Sequence, residues 1–282
     1  MDSDALCPLC AGIGFLIAED GGRSRARPCA CRRPAAPAGG AAALLDAAKV
    51  PRRYAECEFD NFAVYDERNL SLAEARSRAV RYAEEYPLSD RGLLFMGPPG
   101  VGKTHLAVAT LRRLMIEKGV PGLFCDVQDL LRQLQATFDR QSGMSQLELL
   151  QPVLQTELVL LDDLGGRQFS PWLEETLAHI VTTRYNDKKA TLVTTNFLDE
   201  PPARGKPSQA ERSALQTLEE RIGYRVRSRL HEMCHLVAIE AGDFRQKVVR
   251  ADHQEAGDFR NKIKRAVHAM PPQARPRDRE HS

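Results

Sequence analysis

Residues 92–104 read Gly-Leu-Leu-Phe-Met-Gly-Pro-Pro-Gly-Val-Gly-Lys-Thr, an apolar run that breaks into GPPGVGKT at 97–104. The next residues, His105-Leu106-Ala107-Val108-Ala109-Thr110-Leu111, carry apolar side chains at helical spacing. A strand, a glycine-rich turn and a helix start are the context in which this pattern cradles phosphate. Gly97, Gly100 and Gly102 let the backbone come close to phosphate and turn its N–H groups inward. The helix that follows adds the positive end of its dipole. Lys103 can reach the β- and γ-phosphates of ATP, and Thr104 offers a hydroxyl to Mg2+. Pro98, Pro99, Val101 and His105 complete the expected nucleotide-contacting set.

Outward from the loop, strands and helices alternate. Strands are expected at 92–96, 121–126, 157–162, 190–195 and 235–239, and helices at 68–86, 103–118, 127–138, 146–156, 171–187 and 211–232. Continuous apolar strands such as Leu158-Val159-Leu160-Leu161 suit a parallel sheet covered on both faces, so the fold class is α/β, doubly wound. Two helical segments separate the second and third strands, one more than a minimal repeat needs.

Hydrolysis needs more than a phosphate loop. Leu158-Val159-Leu160-Leu161-Asp162-Asp163-Leu164 projects two carboxylates from the end of an apolar strand. Asp162 is placed to hold Mg2+, and Asp163 to polarise an attacking water. Thr194-Thr195-Asn196 closes the next strand, where Asn196 can hydrogen-bond the γ-phosphate or that water. The segment Arg225-Val226-Arg227-Ser228-Arg229-Leu230 puts Arg225 and Arg229 four apart on one helical face. Such a face either is solvated or presents an arginine to a neighbouring subunit's γ-phosphate.

These elements, in this order, resemble the AAA+ ATPases, and in detail the DnaC/DnaI/IstB group of helicase loaders and transposition helpers, close to the initiator DnaA. The resemblance covers roughly residues 55–240 and rests on Phe59-x-x-Phe62, GPPGVGKT, LLDDLG, TTN and RVRSRL. It implies an AAA+ P-loop NTPase core with a parallel five-stranded sheet. It implies Mg2+ at Thr104 and Asp162, a hydrolytic carboxylate at Asp163, and a γ-phosphate sensor at Asn196. It also implies an arginine finger acting in trans at Arg229, with Arg225 as the alternative. Two departures stand out. The second acid is Asp163 where many relatives carry Glu, so slow intrinsic turnover is expected. Only 43 residues follow the last expected strand, so the C-terminal lid is expected to be reduced or absent.

Four of the seven cysteines lie in the first 31 residues, as Cys7-x2-Cys10 and Cys29-x-Cys31. Four thiolates can hold a tetrahedral Zn2+, and about 30 residues cannot build an apolar core without such a centre. The other reading is free or regulatory thiols. The basic flank Arg23, Arg25, Arg27, Arg32 and Arg33 suits a phosphate backbone, a solvated rim or a protein-docking surface alike. Cys57, Cys125 and Cys234 lie in apolar contexts and read as packing residues.

The expected organisation is a zinc-binding module at 1–33, a flexible Ala/Pro/Gly linker at 34–50, the ATPase domain at 51–242 and a basic tail at 243–282. Within the tail, EAGDFRQKVVR at 240–250 recurs as EAGDFRNKIKR at 255–265. Residues 245–282 hold ten Lys/Arg and five Asp/Glu, a net +5. The whole chain of 282 residues carries only +2, which excludes a global field for nucleic acid. No apolar run of about 18 residues exists, which excludes a membrane-spanning helix. The acidic start Met1-Asp2-Ser3-Asp4 lacks a secretory core, so a cytoplasmic location is expected. The resemblance implies an ATP-dependent helicase loader that self-associates through its ATP site. Its expected partners are single-stranded DNA and a replicative DNA helicase, the latter engaged by the N-terminal module. The alternative is an IstB-like transposition helper that binds DNA and recruits a transposase.

Overall fold

A computed structural model describes residues 8–9, 15–20, 23–28, 40–65, 70–89, 91–138, 145–166, 170–199 and 216–245. The chain divides into two units at Gly242/Asp243, and the second is described only at 243–245. Strands β1 (Phe15–Asp20) and β2 (Arg23–Pro28) pair antiparallel, with Phe15 opposite Pro28 and Asp20 opposite Arg23. Two glycines, Gly21 and Gly22, link them, the residue type that two-residue hairpin links favour.

The rest of the first unit is an α/β/α sandwich. Strands β3 (Gly92–Met96), β4 (Gly122–Asp126), β5 (Leu158–Leu164), β6 (Thr191–Thr195) and β7 (Cys234–Ala238) form one parallel sheet in the order β4-β5-β6-β3-β7. Side chains alternate across it. Leu93, Phe95, Leu158, Leu160 and Leu192 face one core, and Leu94, Met96, Val159, Leu161 and Val193 face the other. Both faces are covered, which explains why the strands read as unbroken apolar runs.

The first core is closed by α1 (Gly40–Ala47), α2 (Leu70–Glu85) and α3 (Lys103–Lys118). The second is closed by α4 (Val127–Ala136), α5 (Gln146–Gln155), α6 (Pro171–Asn186), α7 (Leu218–Ile222) and α8 (Tyr224–Met233). Burying one Leu in such a layer contributes about 1.5–3 kcal/mol. Cys57, Cys125 and Cys234 are buried as packing residues, and burial pushes their thiols up to about 11, 12 and 12.

Two expectations need correction. The flexible linker at 34–50 does not extend through its described part. Residues 40–47 form α1, and Leu45, Ala48 and Val50 are buried in the first core. The Ala-rich composition read as linker is also the best helix-forming composition, and Leu44-Leu45 supply the anchor. The single helix at 211–232 is, from 216 onward, two helices broken at Gly223 (φ 78°). Gly223 holds a positive φ that L side chains rarely adopt, whereas the nearest atom to a Cβ there, Glu174 Oε1 at 2.3 Å, is the movable end of a side chain on α6. The part of that prediction at 211–215 lies outside the described residues.

Arg184 in α6 is the largest fully buried side chain and was not singled out from sequence. Its guanidinium donates to Thr191 Oγ1 (3.0 Å) and to the carbonyls of Val153 and Thr156 (both 2.8 Å), Glu157 (3.3 Å) and Ala190 (2.6 Å). Val153 lies in the last turn of α5, where carbonyls lack helical partners and the dipole favours a cation. Burial pushes the Arg184 pKa down to about 10, so the group stays charged at neutral pH. Arg184→Met is expected to strip these acceptors and destabilise the domain by about 3 kcal/mol. Thermal unfolding should show a fall of roughly 10 °C, and an unchanged melting temperature would show that α5 does not depend on this residue.

Candidate nucleotide site

The loop 97–102 lies between β3 and α3, and Gly102 stands as the N-cap of α3 at φ 97°. That helix start differs from those of α4 to α7. The N-termini of α4, α5, α6 and α7 are capped by the side chains of Asp126, Ser145, Ser170 and Thr217. The N-terminus of α3 has no side-chain cap, which leaves its first-turn N–H groups for an anion. Gly102 is also pressed by the lead-in segment: a Cβ there would lie 2.6 Å from Phe62 Cε2. Phe62 packs edge-on to His105 at 5.4 Å, and His105 Nε2 bonds the Glu58 carbonyl at 2.8 Å. Gly102→Ala therefore meets both a steric wall and a backbone conformation that costs about 1–3 kcal/mol. The expected result is a lower melting temperature together with at least ten-fold weaker ATP binding, read by calorimetry. Full affinity in this variant would show that the loop can relax.

Lys103 is buried, and its Nζ donates to the carbonyls of Gly97 (2.8 Å) and Pro98 (2.7 Å) and to Asn196 Oδ1 (2.7 Å). All three acceptors are neutral, so a phosphate oxygen would be a stronger partner for the ammonium. Asn196 Nδ2 donates to Asp163 Oδ1 at 2.8 Å. One asparagine thus joins the loop lysine to the second strand-end acid. The sheet order makes this possible: β6 lies between β3 and β5, so its end faces both.

Asp162 accepts from Thr104 Oγ1 at 2.9 Å and from Thr194 Oγ1 at 2.6 Å, both on Oδ1. Burial raises its carboxyl above the ordinary range, and these two hydrogen bonds oppose the rise. The pairing of β5 with β6 shifts register between Leu161 and Leu164, a bulge that spans both acids. There Asp163 takes φ 56°, a left-handed conformation that Asp tolerates better than most residues. Its N–H is held by Thr194 Oγ1 (3.0 Å) and its carbonyl by Gln128 Nε2 (3.2 Å). Burial raises the Asp163 carboxyl too, with Asp126 adding to the rise and Lys103 opposing it. An ammonium, a hydroxyl, a carboxylate and an uncapped helix start form a donor set that fits a nucleotide triphosphate with Mg2+.

The structure thus brings together Lys103, Thr104, Asp162, Asp163 and Asn196. Arg225 and Arg229 stand on α8, and Arg229 Nη1 donates to the Arg225 carbonyl (3.2 Å). Arg227 faces elsewhere. It grips Asp199 through Nε and Nη2, both at 2.6 Å, and His231 Nε2 lies 3.0 Å from the same carboxylate. With Arg221 stacked over Phe197 at 4.5 Å, these contacts fasten the loop after Asn196 to α7 and α8. Sequence reasoning missed Thr194 as a partner of both acids, and it missed the Asp199–Arg227 clamp. The TTN stretch was a signal for the first, whereas nothing near Asp199 marks it.

The four N-terminal cysteines, Cys7, Cys10, Cys29 and Cys31, lie outside the described residues. Among the described residues no His/Cys/Asp/Glu group forms a metal cluster, and no helix is long and apolar enough to cross a membrane.

Sheet order, phosphate loop and strand-end acids define the class: a P-loop nucleotide-binding α/β protein. Residues 42–251 match the family profile described as IstB-like ATP binding protein. The chain belongs to that family, within the DnaC/DnaI/IstB group of AAA+ ATPases. It is 32% identical over 140 residues to the replicative helicase loader DnaC of Escherichia coli strain K12, a match covering 50% of this chain and 55% of that protein. It thus spans about half the length of the curated relatives it matches. Among solved structures, a DnaC helicase loader is 35% identical, with a TM-score of 0.54 over 67% of this chain and 99% of that one. The DnaI structure shares the fold at 21% identity and a TM-score of 0.50, over 68% of this chain and 93% of that one.

Proposed function

We propose that the chain is an ATP-dependent helicase loader. In this reading it binds single-stranded DNA and a replicative DNA helicase in the cytoplasm, and it hydrolyses ATP at interfaces between its own subunits. One observation carries the reading. Lys103, Thr104, Asp162, Asp163 and Asn196 form one bonded site, and Arg225 and Arg229 stand on α8, with Arg229 bonded to the Arg225 carbonyl. An arginine from a neighbouring subunit would complete the set, so nucleotide would be read at an interface. Asp163 in place of a longer acid keeps turnover slow until assembly or DNA improves its aim.

Residues 1–33 act as a zinc-binding module in this proposal. Strands β1 and β2 form a hairpin between Cys10 and Cys29, and the register that sets Phe15 opposite Pro28 brings its two chain ends side by side. That placement supports a shared site for Cys7, Cys10, Cys29 and Cys31. The module would dock on the helicase.

The family's description, IstB-like ATP binding protein, leads to a second reading, in which we propose a helper that binds DNA and recruits a transposase. The full-length chain, mixed with the replicative helicase of its host and separately with a transposase, separates the two. Co-elution with the helicase, lost on zinc chelation, together with ATP hydrolysis stimulated by single-stranded DNA, is the expected result. Co-elution with the transposase alone would replace the first reading with the second.

A further inference from the structure

Asp162 and Asp163 are consecutive, and in a regular strand consecutive side chains point to opposite faces of the sheet. Here both acids belong to one site: Asp162 accepts from Thr104, and Asp163 accepts from Asn196. The bulge makes this possible. Leu161 pairs with Val193 and Leu164 with Thr195, so two acids on β5 stand against the single residue Thr194 on β6. The extra residue turns the chain at Asp163, where φ is 56°. A bulge also breaks the ladder locally, and a backbone N–H freed there needs another acceptor.

Thr194 supplies it. This residue is 2% exposed, and the two residues before it in β6, Leu192 and Val193, are buried and apolar. A valine has nearly the same shape and would suit the same strand. Packing alone gives no use for the hydroxyl, yet the hydroxyl is engaged on both sides. Its oxygen accepts the Asp163 N–H at 3.0 Å, and its one proton goes to Asp162 Oδ1 at 2.6 Å. Thr104 donates to the same carboxylate oxygen at 2.9 Å. Both hydroxyls thus load Oδ1, and Oδ2 carries neither bond. One atom of Thr194 holds the backbone of one acid and the carboxylate of the other.

We infer that Thr194 is a positioning residue for both carboxylates of the nucleotide site: its hydroxyl aims Asp162 and pins Asp163 in the turned conformation that brings it to the same site. The inference rests on the ATP reading of that site.

Thr194→Val and Thr194→Ser in the full-length chain separate the hydroxyl from the methyl. Val keeps the branched shape without the oxygen, and Ser keeps the oxygen without the methyl. Binding of a fluorescent ATP analogue is titrated first in EDTA and then against Mg2+, and hydrolysis is followed in a single turnover. For Thr194→Val the expected result is unchanged affinity in EDTA, an Mg2+ midpoint raised about ten-fold and hydrolysis slowed about ten-fold, the effect of losing a hydrogen bond to a charged group. Thr194→Ser should stay within about two-fold of wild type in both, although it removes more packing. A role limited to packing would reverse that order. If Thr194→Val does not fold, Thr194→Ala removes the same oxygen and takes its place in the comparison. An unchanged Mg2+ midpoint or an unchanged rate without the hydroxyl, or an equal loss in Thr194→Ser, overturns the inference while the ATP reading stands. If wild type shows no nucleotide binding with or without Mg2+, the ATP reading fails and takes the inference with it.

Discussion

Arg229→Ala is expected to lower ATP turnover about 1,000-fold at saturating nucleotide and to leave ATP affinity within a few-fold of wild type. Trans-acting arginines contribute 10³–10⁵ to hydrolysis in nucleotide enzymes of this kind. Two features single out Arg229 within RVRSRL. Arg227 is held by two short bonds to Asp199 and serves the fold of its own subunit. Arg225 is exposed at the first turn of α8, whereas Arg229 lies half-buried one turn further on. Arg225→Ala should therefore have the smaller effect. Mixing settles whether the arginine acts on the neighbour. An equimolar mixture of Arg229→Ala with Lys103→Ala should regain hydrolysis, because mixed interfaces pair an intact site with an intact arginine. If the mixture stays as inactive as either parent, the finger does not act in trans.

Asp163→Asn should lower turnover by roughly 100- to 1,000-fold, the range lost with a group that polarises or deprotonates a nucleophile. The substitution is well matched to its place. Asn tolerates the left-handed conformation at φ 56°, and its Oδ1 can still accept from Asn196 Nδ2. The fold and nucleotide affinity should therefore persist, and the loss should appear in single-turnover hydrolysis alone. Wild-type turnover in this variant would remove Asp163 from the chemistry. Burial and Asp126 raise the Asp163 carboxyl, the direction that makes a carboxylate a better proton acceptor near neutrality.

The strands and the phosphate loop were legible because their signals are local. Apolar runs of about five residues end at glycine, aspartate or asparagine, and Gly97, Asp162 and Asn196 at such ends belong to the candidate site. What was illegible depends on chain crossings. Arg184 reads as one more charge on a helix until α5 and β6 converge on it. Two elements were misread from composition alone. The alanines of 40–47 suit a linker and a helix equally, and Leu45 decides between them only once a core exists to receive it. Gly223 inside a helical pattern costs about 1 kcal/mol relative to Ala, and the chain breaks there because it takes φ 78°, a conformation that glycine adopts without strain.

The sheet order β4-β5-β6-β3-β7 has a consequence for how the chain comes into being. The strand that carries the loop is the first of the five to leave the ribosome, yet both of its neighbours, β6 at 191–195 and β7 at 234–238, are the last. Through most of synthesis β3 has no strand beside it, while β4 and β5 can already pair with each other. A chain that ends before residue 191 holds Lys103, Thr104, Asp162 and Asp163 but lacks Asn196, the side chain that joins Lys103 to Asp163. Pairing across such separations is slow. An unpaired apolar β3 is the segment a nascent chain must keep from other chains until translation is nearly complete.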